Sequence, residues 1–153
     1  MKKMILGLGL MLASSLSYAD IDVQDAKVRA VPPTQKITAA FMQLTNTGTE
    51  NRSVVSASSP ASDVVELHTH IQEGDRMQMR QIPEIKLPAG ETTTLQPGGL
   101  HLMLIGLKAP VVEGDQLSIT LTLDNGERVD LELPVQPVMP GMKGGHQGMH
   151  PKH

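Results

Sequence analysis

From Asp20 onward apolar and polar residues alternate with a period of two, and Pro, Gly and Asn-Gly interrupt the alternation at short intervals. Successive strand side chains point to opposite faces, so this period predicts β-strands with one buried face. The predicted strands are Ile21–Val31, Ile37–Thr45, Arg52–Ser58, Val64–Ile71, Met77–Leu87, Leu100–Leu107, Gln116–Leu123 and Arg128–Val135. A short Thr-rich strand lies between Pro88 and Pro97. Within Ile37–Thr45, Ala40, Met42 and Leu44 share one face. Pro83 marks an edge or a bulge inside Met77–Leu87. Gln72-Glu73-Gly74-Asp75 reads as a four-residue hairpin loop, and Asn125-Gly126 as a tight type I′ turn. No segment has a helical period, and there is neither an internal repeat nor a second domain. The expected fold is therefore all-β, an antiparallel sandwich or Greek-key barrel.

The two ends do not follow this pattern. Lys2 and Lys3 precede an apolar stretch from Met4 to Ala13, and Ser17 and Ala19 are small residues at −3 and −1 of a cleavage site. Residues 1–19 thus read as a signal peptide, too short in its apolar part to span a bilayer. The domain proper runs over residues 20–137, and export points to the periplasm. Residues 138–153 are rich in Gly, Met and His without apolar period, the composition of a flexible tail.

Composition narrows the chemistry. The 153 residues hold one Phe, one Tyr and no Trp, which argues against aromatic stacking on single-stranded nucleic acid. A net charge of −3 without a basic cluster argues against a phosphate backbone as partner. No apolar run after the signal is long enough to span a membrane. The absence of Cys removes thiol nucleophiles, zinc-thiolate and iron–sulfur sites, and the thiolate of blue copper. There is no Ser-His-Asp arrangement, phosphate loop or carboxylate pair with a cleft signature, so no enzyme is expected.

The ten Met and six His are what remain. His68/His70, Met77/Met79 and His101/Met103 are each spaced i, i+2 on predicted strands, so each pair shares a face. Leu67 and Ile71, with Leu100, Leu102 and Leu104, take the opposite, core-facing positions. With a four-residue loop, His68 opposes Met79 and His70 opposes Met77, close enough to share an ion. Thioethers suit Cu(I), and imidazole suits Cu, Zn, Fe and Ni. No Asp or Glu joins the cluster at ligand spacing, which counts against Ca, Mg and Mn. A neutral set of imidazoles and thioethers favours Cu(I).

His68, ten residues, Met79, twenty-one residues and then His101-Leu102-Met103 resembles the HX10MX21HXM copper motif of the periplasmic CuA chaperone family, PCuAC. Gly74, Met77, Met79-Arg80, Leu87-Pro88-Ala89-Gly90, Leu95 and Pro97-Gly98-Gly99 are also similar to that family. Where some members carry Met directly after the first His, this chain has Thr69. The resemblance implies a cupredoxin-like Greek-key β-barrel that binds Cu(I) through His68, Met79, His101 and Met103, with His70 and Met77 as auxiliary groups. It further implies a chaperone supplying copper for the CuA site of cytochrome c oxidase, in some members together with Sco-type proteins. A copper-buffering or resistance protein, and a structural sandwich with incidental His and Met, are the alternatives. Met139, Met142 and Met149 with His146, His150 and His153 form a second expected copper site, Cu(I) or Cu(II), on the tail.

Overall fold

The computed structural model describes residues 20–138. The expected signal peptide, and the tail from Met139 onward with its copper-binding residues, lie outside the described residues. Ten strands follow in chain order: β1 Ile21–Arg29, β2 Ile37–Asn46, β3 Arg52–Ser58, β4 Ser62–Glu73, β5 Arg76–Gln81, β6 Ile85–Leu87, β7 Thr92–Leu95, β8 His101–Leu107, β9 Gln116–Leu123 and β10 Arg128–Gln136. Among the described residues there is no helix, as the alternation predicts.

Seven strands close on themselves in the order β4-β8-β2-β1-β10-β9-β3, and an Ala57–Val65 pairing between β3 and β4 completes the ring. Only β1 and β10 run parallel. Three further strands hang on this barrel: β5 on β4, β6 on β3 and β7 on β2. Closure removes the open edges that a sheet this large would otherwise expose.

The barrel interior takes one residue in two from each strand. Ala40, Met42 and Leu44 of β2 are buried there, with Leu67 of β4 and Leu102 and Leu104 of β8. Ile71 and Leu100, expected on the same face, are only partly buried, because they lie toward strand ends. The intervening residues of β2, β4 and β8 face outward, and the functional residues are among them.

Three local features depart from the sequence reading. Met77–Leu87 is two strands, broken before Ile85 around Pro83, which has no N–H to give to a ladder; β6 leaves β4 and pairs with β3. At Asn125-Gly126 only Gly126 has positive φ, and Leu123 N–H donates to Glu127 O while Gly126 N–H donates to Leu123 O. That is a three-residue loop with a left-handed glycine, not a type I′ turn, which needs positive φ at both central residues. Finally, β1 carries a bulge between Gln24 and Lys27, with Asp25 at φ 51°. Val23 pairs with Leu44 before it and Val28 with Ala40 after it. The extra residue puts Val28 in the core and turns Arg29 to the outer face.

Candidate metal centre

The strand ladders assemble the cluster residue by residue. On the outer face His68 of β4 lies opposite His101 of β8, and Glu66 opposite Met103. Met103 in turn lies opposite Ala39 of β2. Beside these strands is a groove of about 430 Å³ lined by His70, Met77, Met79, His101 and Met103, with Phe41 and Arg29 contributing from β2 and β1. Five residues of the three expected His/Met pairs thus line one groove, whereas His68 does not, although its pairing with His101 puts it on the same face.

The hairpin register differs from the expected one. β4 and β5 are joined by two residues, Gly74 and Asp75, and paired positions are Glu73 with Arg76, Gln72 with Met77, His70 with Met79 and His68 with Gln81. Gly74 has φ 60° and Asp75 has no positive φ, the pattern of a type II′ turn, whose first central residue only glycine adopts readily. Gln72 and Glu73 thus remain in the strand. Relative to a four-residue loop every partner moves by two positions, so the faces are unchanged while the partners change. Met79 faces His70, and His68 faces His101 instead of Met79.

Burial is graded across the cluster. His101 is only 3% exposed, and its ring lies 5.2 Å from that of His70, 5.7 Å from that of His68 and 6.4 Å from that of Phe41, centroid to centroid. Its Nδ1–H donates to Gly99 O at 2.9 Å, which fixes the tautomer and leaves the Nε2 lone pair free. Burial holds its pKa below 6.5; the Gly99 carbonyl opposes this, and His70, His68 and Arg29 add smaller repulsions. A neutral imidazole is the form that binds metal. At the other extreme Met77 and Met79 are 58% and 52% exposed, on a strand whose residues are all exposed.

A carboxylate does join the cluster, contrary to expectation. His68 Nε2–H donates to Glu66 Oε2 at 2.6 Å. The spacing i, i−2 carried the signal, since Glu66 shares a face with His68; it contacts the ring, not the groove. Because a carboxylate only accepts, the proton sits on Nε2 and Nδ1 keeps the lone pair. His68 Nδ1 and His70 Nδ1 are both buried and have no hydrogen-bond partner. Such a carboxylate–imidazole pair is the arrangement that orients histidine ligands.

Sequence reasoning also missed Arg29 and Phe41. The guanidinium carbon stands 5.3 Å from the Phe41 ring centroid, and Thr38 Oγ1 donates to Arg29 O at 2.6 Å. Phe41 is buried outside the core cluster and walls the groove beneath the imidazoles. Among the described residues no three His, Asp or Glu side chains already stand as a ready metal cage. The groove instead offers imidazoles and thioethers together, a donor set suited to a soft monovalent cation.

A family profile described as "LpqE-like: Putative lipoprotein LpqE-like" matches residues 21–135. The chain is 38% identical over 101 residues to "Putative lipoprotein Lxx21020" of Leifsonia xyli, a match spanning 65% of this chain and 61% of that relative. It is 33% identical to the Cu(I) form of DR1885 from Deinococcus radiodurans, with a TM-score of 0.66 over 85% of this chain and 87% of that one. It shares its fold with the copper-bound PCuAC domain of PmoF2, at 18% identity and a TM-score of 0.66 over 78% of this chain and 94% of that domain. These likenesses bear out the resemblance carried by the motif.

Proposed function

The chain belongs to the LpqE-like family and has the PCuAC fold, and from that premise we propose that it is an exported copper chaperone whose cargo is Cu(I). The observation that supports this best is the outer face itself. His68, His101 and Met103 on two paired strands, with Met79 on the attached hairpin, bring two imidazoles and two thioethers to one side of the barrel. All four donors are uncharged when they ligate, so they hold Cu(I) without demanding the higher oxidation state. A chaperone must retain its ion yet pass it on through shared ligands. Met79, half exposed at the margin, is placed to leave first, while His101 is anchored in the wall.

In this reading residues 1–19 direct export to the periplasm and residues 20–137 form the copper domain. The acceptor is the CuA-bearing subunit of cytochrome c oxidase, with Sco-type proteins as partners. The tail residues Met139, Met142, His146, Met149, His150 and His153 take a second copper more weakly than the strand cluster, a reading that rests on their Gly-, Met- and His-rich composition. Anaerobic titration of the full chain with Cu(I) against a competing chelator tests the cargo. One tightly held ion is expected, and no stoichiometric binding would leave only a structural barrel. Mixing the Cu(I) protein with an apo CuA domain tests delivery. Appearance of the CuA absorption supports it, and retention of all the copper by the chain would favour buffering.

A further inference from the structure

One cation stands in the groove without a counter-charge. Arg29 lines it together with His101, Met79 and Met103, and no Asp or Glu is among the described residues that line it. Among the described residues the ion pairs are Arg52 with Glu50, His68 with Glu66 and Arg80 with Glu73, and none involves Arg29. Its guanidinium carbon lies 5.3 Å from the Phe41 ring centroid, and the His101 ring lies 6.4 Å from the same centroid. Stacking on Phe41 occupies the flat face of the guanidinium but none of its N–H donors, which lie in its plane. The Nε–H is buried and has no hydrogen-bond partner among the described residues.

A cation at this place works against the cargo, because it repels a copper ion held beside it. It favours instead an anion that enters the groove. The chain has a net charge of −3, so an anionic partner meets repulsion overall, and a single unpaired cation fixes where it is received. The rim is apolar: Ile37, Met77 and Met79 line the groove and are 42%, 58% and 52% exposed. They are three of the six exposed large hydrophobics among the described residues. Exposed apolar side chains gathered at one groove mark a docking surface, and arginine is a favoured anchor of such surfaces. A carboxylate matches its planar fork through two parallel hydrogen bonds.

We propose that Arg29 receives a carboxylate of the Cu(I) acceptor, a partner with apolar side chains around that carboxylate, and so brings the acceptor's own copper donors to Met79. The proposal rests on the copper reading given above and adds the chemistry by which the acceptor is recognised. Cu(I) keeps its oxidation state in the transfer. Bonds to this protein's donors break as bonds to the acceptor's donors form, and the carboxylate stays on Arg29.

The test loads the full chain with one equivalent of Cu(I) under anaerobic conditions and follows its transfer to two probes. One is bicinchoninate, which carries two carboxylates on a copper-binding biquinoline; the other is an uncharged bis-amide of the same skeleton. The ratio of the two rates is the readout, so a change in Cu(I) retention cancels. Arg29→Gln should lower this ratio by about fivefold or more, and Arg29→Lys, which keeps the charge and loses the fork, by about twofold. Arg80→Gln removes one charge from the opposite face of β5 and should leave the ratio within about 1.5-fold of the parent. An unchanged ratio in Arg29→Gln, or the same fall in Arg80→Gln, overturns the proposal and leaves the chaperone reading intact. A dimer in sedimentation that Arg29→Gln dissociates would assign the guanidinium to a second copy of the chain and likewise overturn it. A parent that binds no Cu(I) overturns both.

Discussion

Replacing Met79 by Leu separates the cluster from the fold. Met79 lies on β5, a strand with β4 as its neighbour and every residue exposed, and the side chain itself is 52% exposed. A Met to Leu change in a packed core costs under about 1.5 kcal/mol, and at half burial roughly half of that remains. For a barrel of this size that is a fall in Tm of about 4 °C at most. The thioether, by contrast, is lost outright, and a soft ligand removed from a four-donor set should weaken Cu(I) by tenfold or more, about 1.4 kcal/mol. Thermal unfolding of the apo protein gives the first quantity, and competition with a chelator under anaerobic conditions gives the second. A Tm loss above about 10 °C would show that Met79 carries packing that its exposure denies. Cu(I) affinity within twofold of the parent would show that its sulfur is not a ligand.

Other outcomes follow from the same geometry. Leu102→Ala, one residue from His101 but fully buried in the barrel, should cost about 2–5 kcal/mol of stability by denaturant unfolding while the Cu(I) stoichiometry is unchanged. Glu66→Gln removes the charged partner of His68 Nε2 and should weaken copper binding by about 10-fold or more with little change in Tm. Gly106→Ala should destabilise the barrel by at least about 2 kcal/mol, because φ is +74° there and a Cβ would run into the Asp63 carboxylate. His101 has a lowered pKa in the fold, so the unfolded chain takes up its proton first. Apo stability should therefore begin to fall as pH drops through about 6.5, by up to about 1.4 kcal/mol per pH unit, until the folded imidazole also protonates. The slope in that window should vanish in His101→Phe; an unchanged slope would assign the effect to another group.

The strands were legible because a closed barrel uses the same period everywhere, one residue in and the next out. That alternation alone puts His68, His70, His101 and Met103 on a common face. The hairpin register was not legible in the same way. Loops of two and of four residues give identical faces, and only the positive φ of Gly74 decides that Met79 meets His70. Glu66 was visible at i−2 from His68, yet a reading confined to groups that could ligate the ion passes over one that holds the ligand. Arg29 could not be found from the period at all, since the β1 bulge inverts it without a mark in the residue pattern.

That bulge makes the groove sensitive to chain length in a way that it is not sensitive to side-chain identity. Point substitutions on the outer face edit the chemistry one group at a time against a constant barrel. Loss of a single codon between Gln24 and Lys27 would instead shift the phase of the rest of β1 against β2, exchanging the roles of Val28 and Arg29. A guanidinium would then face hydrocarbon where Val28 is now fully buried, and a branched aliphatic would replace the cation over Phe41. An unpaired buried charge costs far more than a lost methyl group. Inherited variation in this wall of the groove is therefore expected as substitutions, with insertions and deletions confined to the turns.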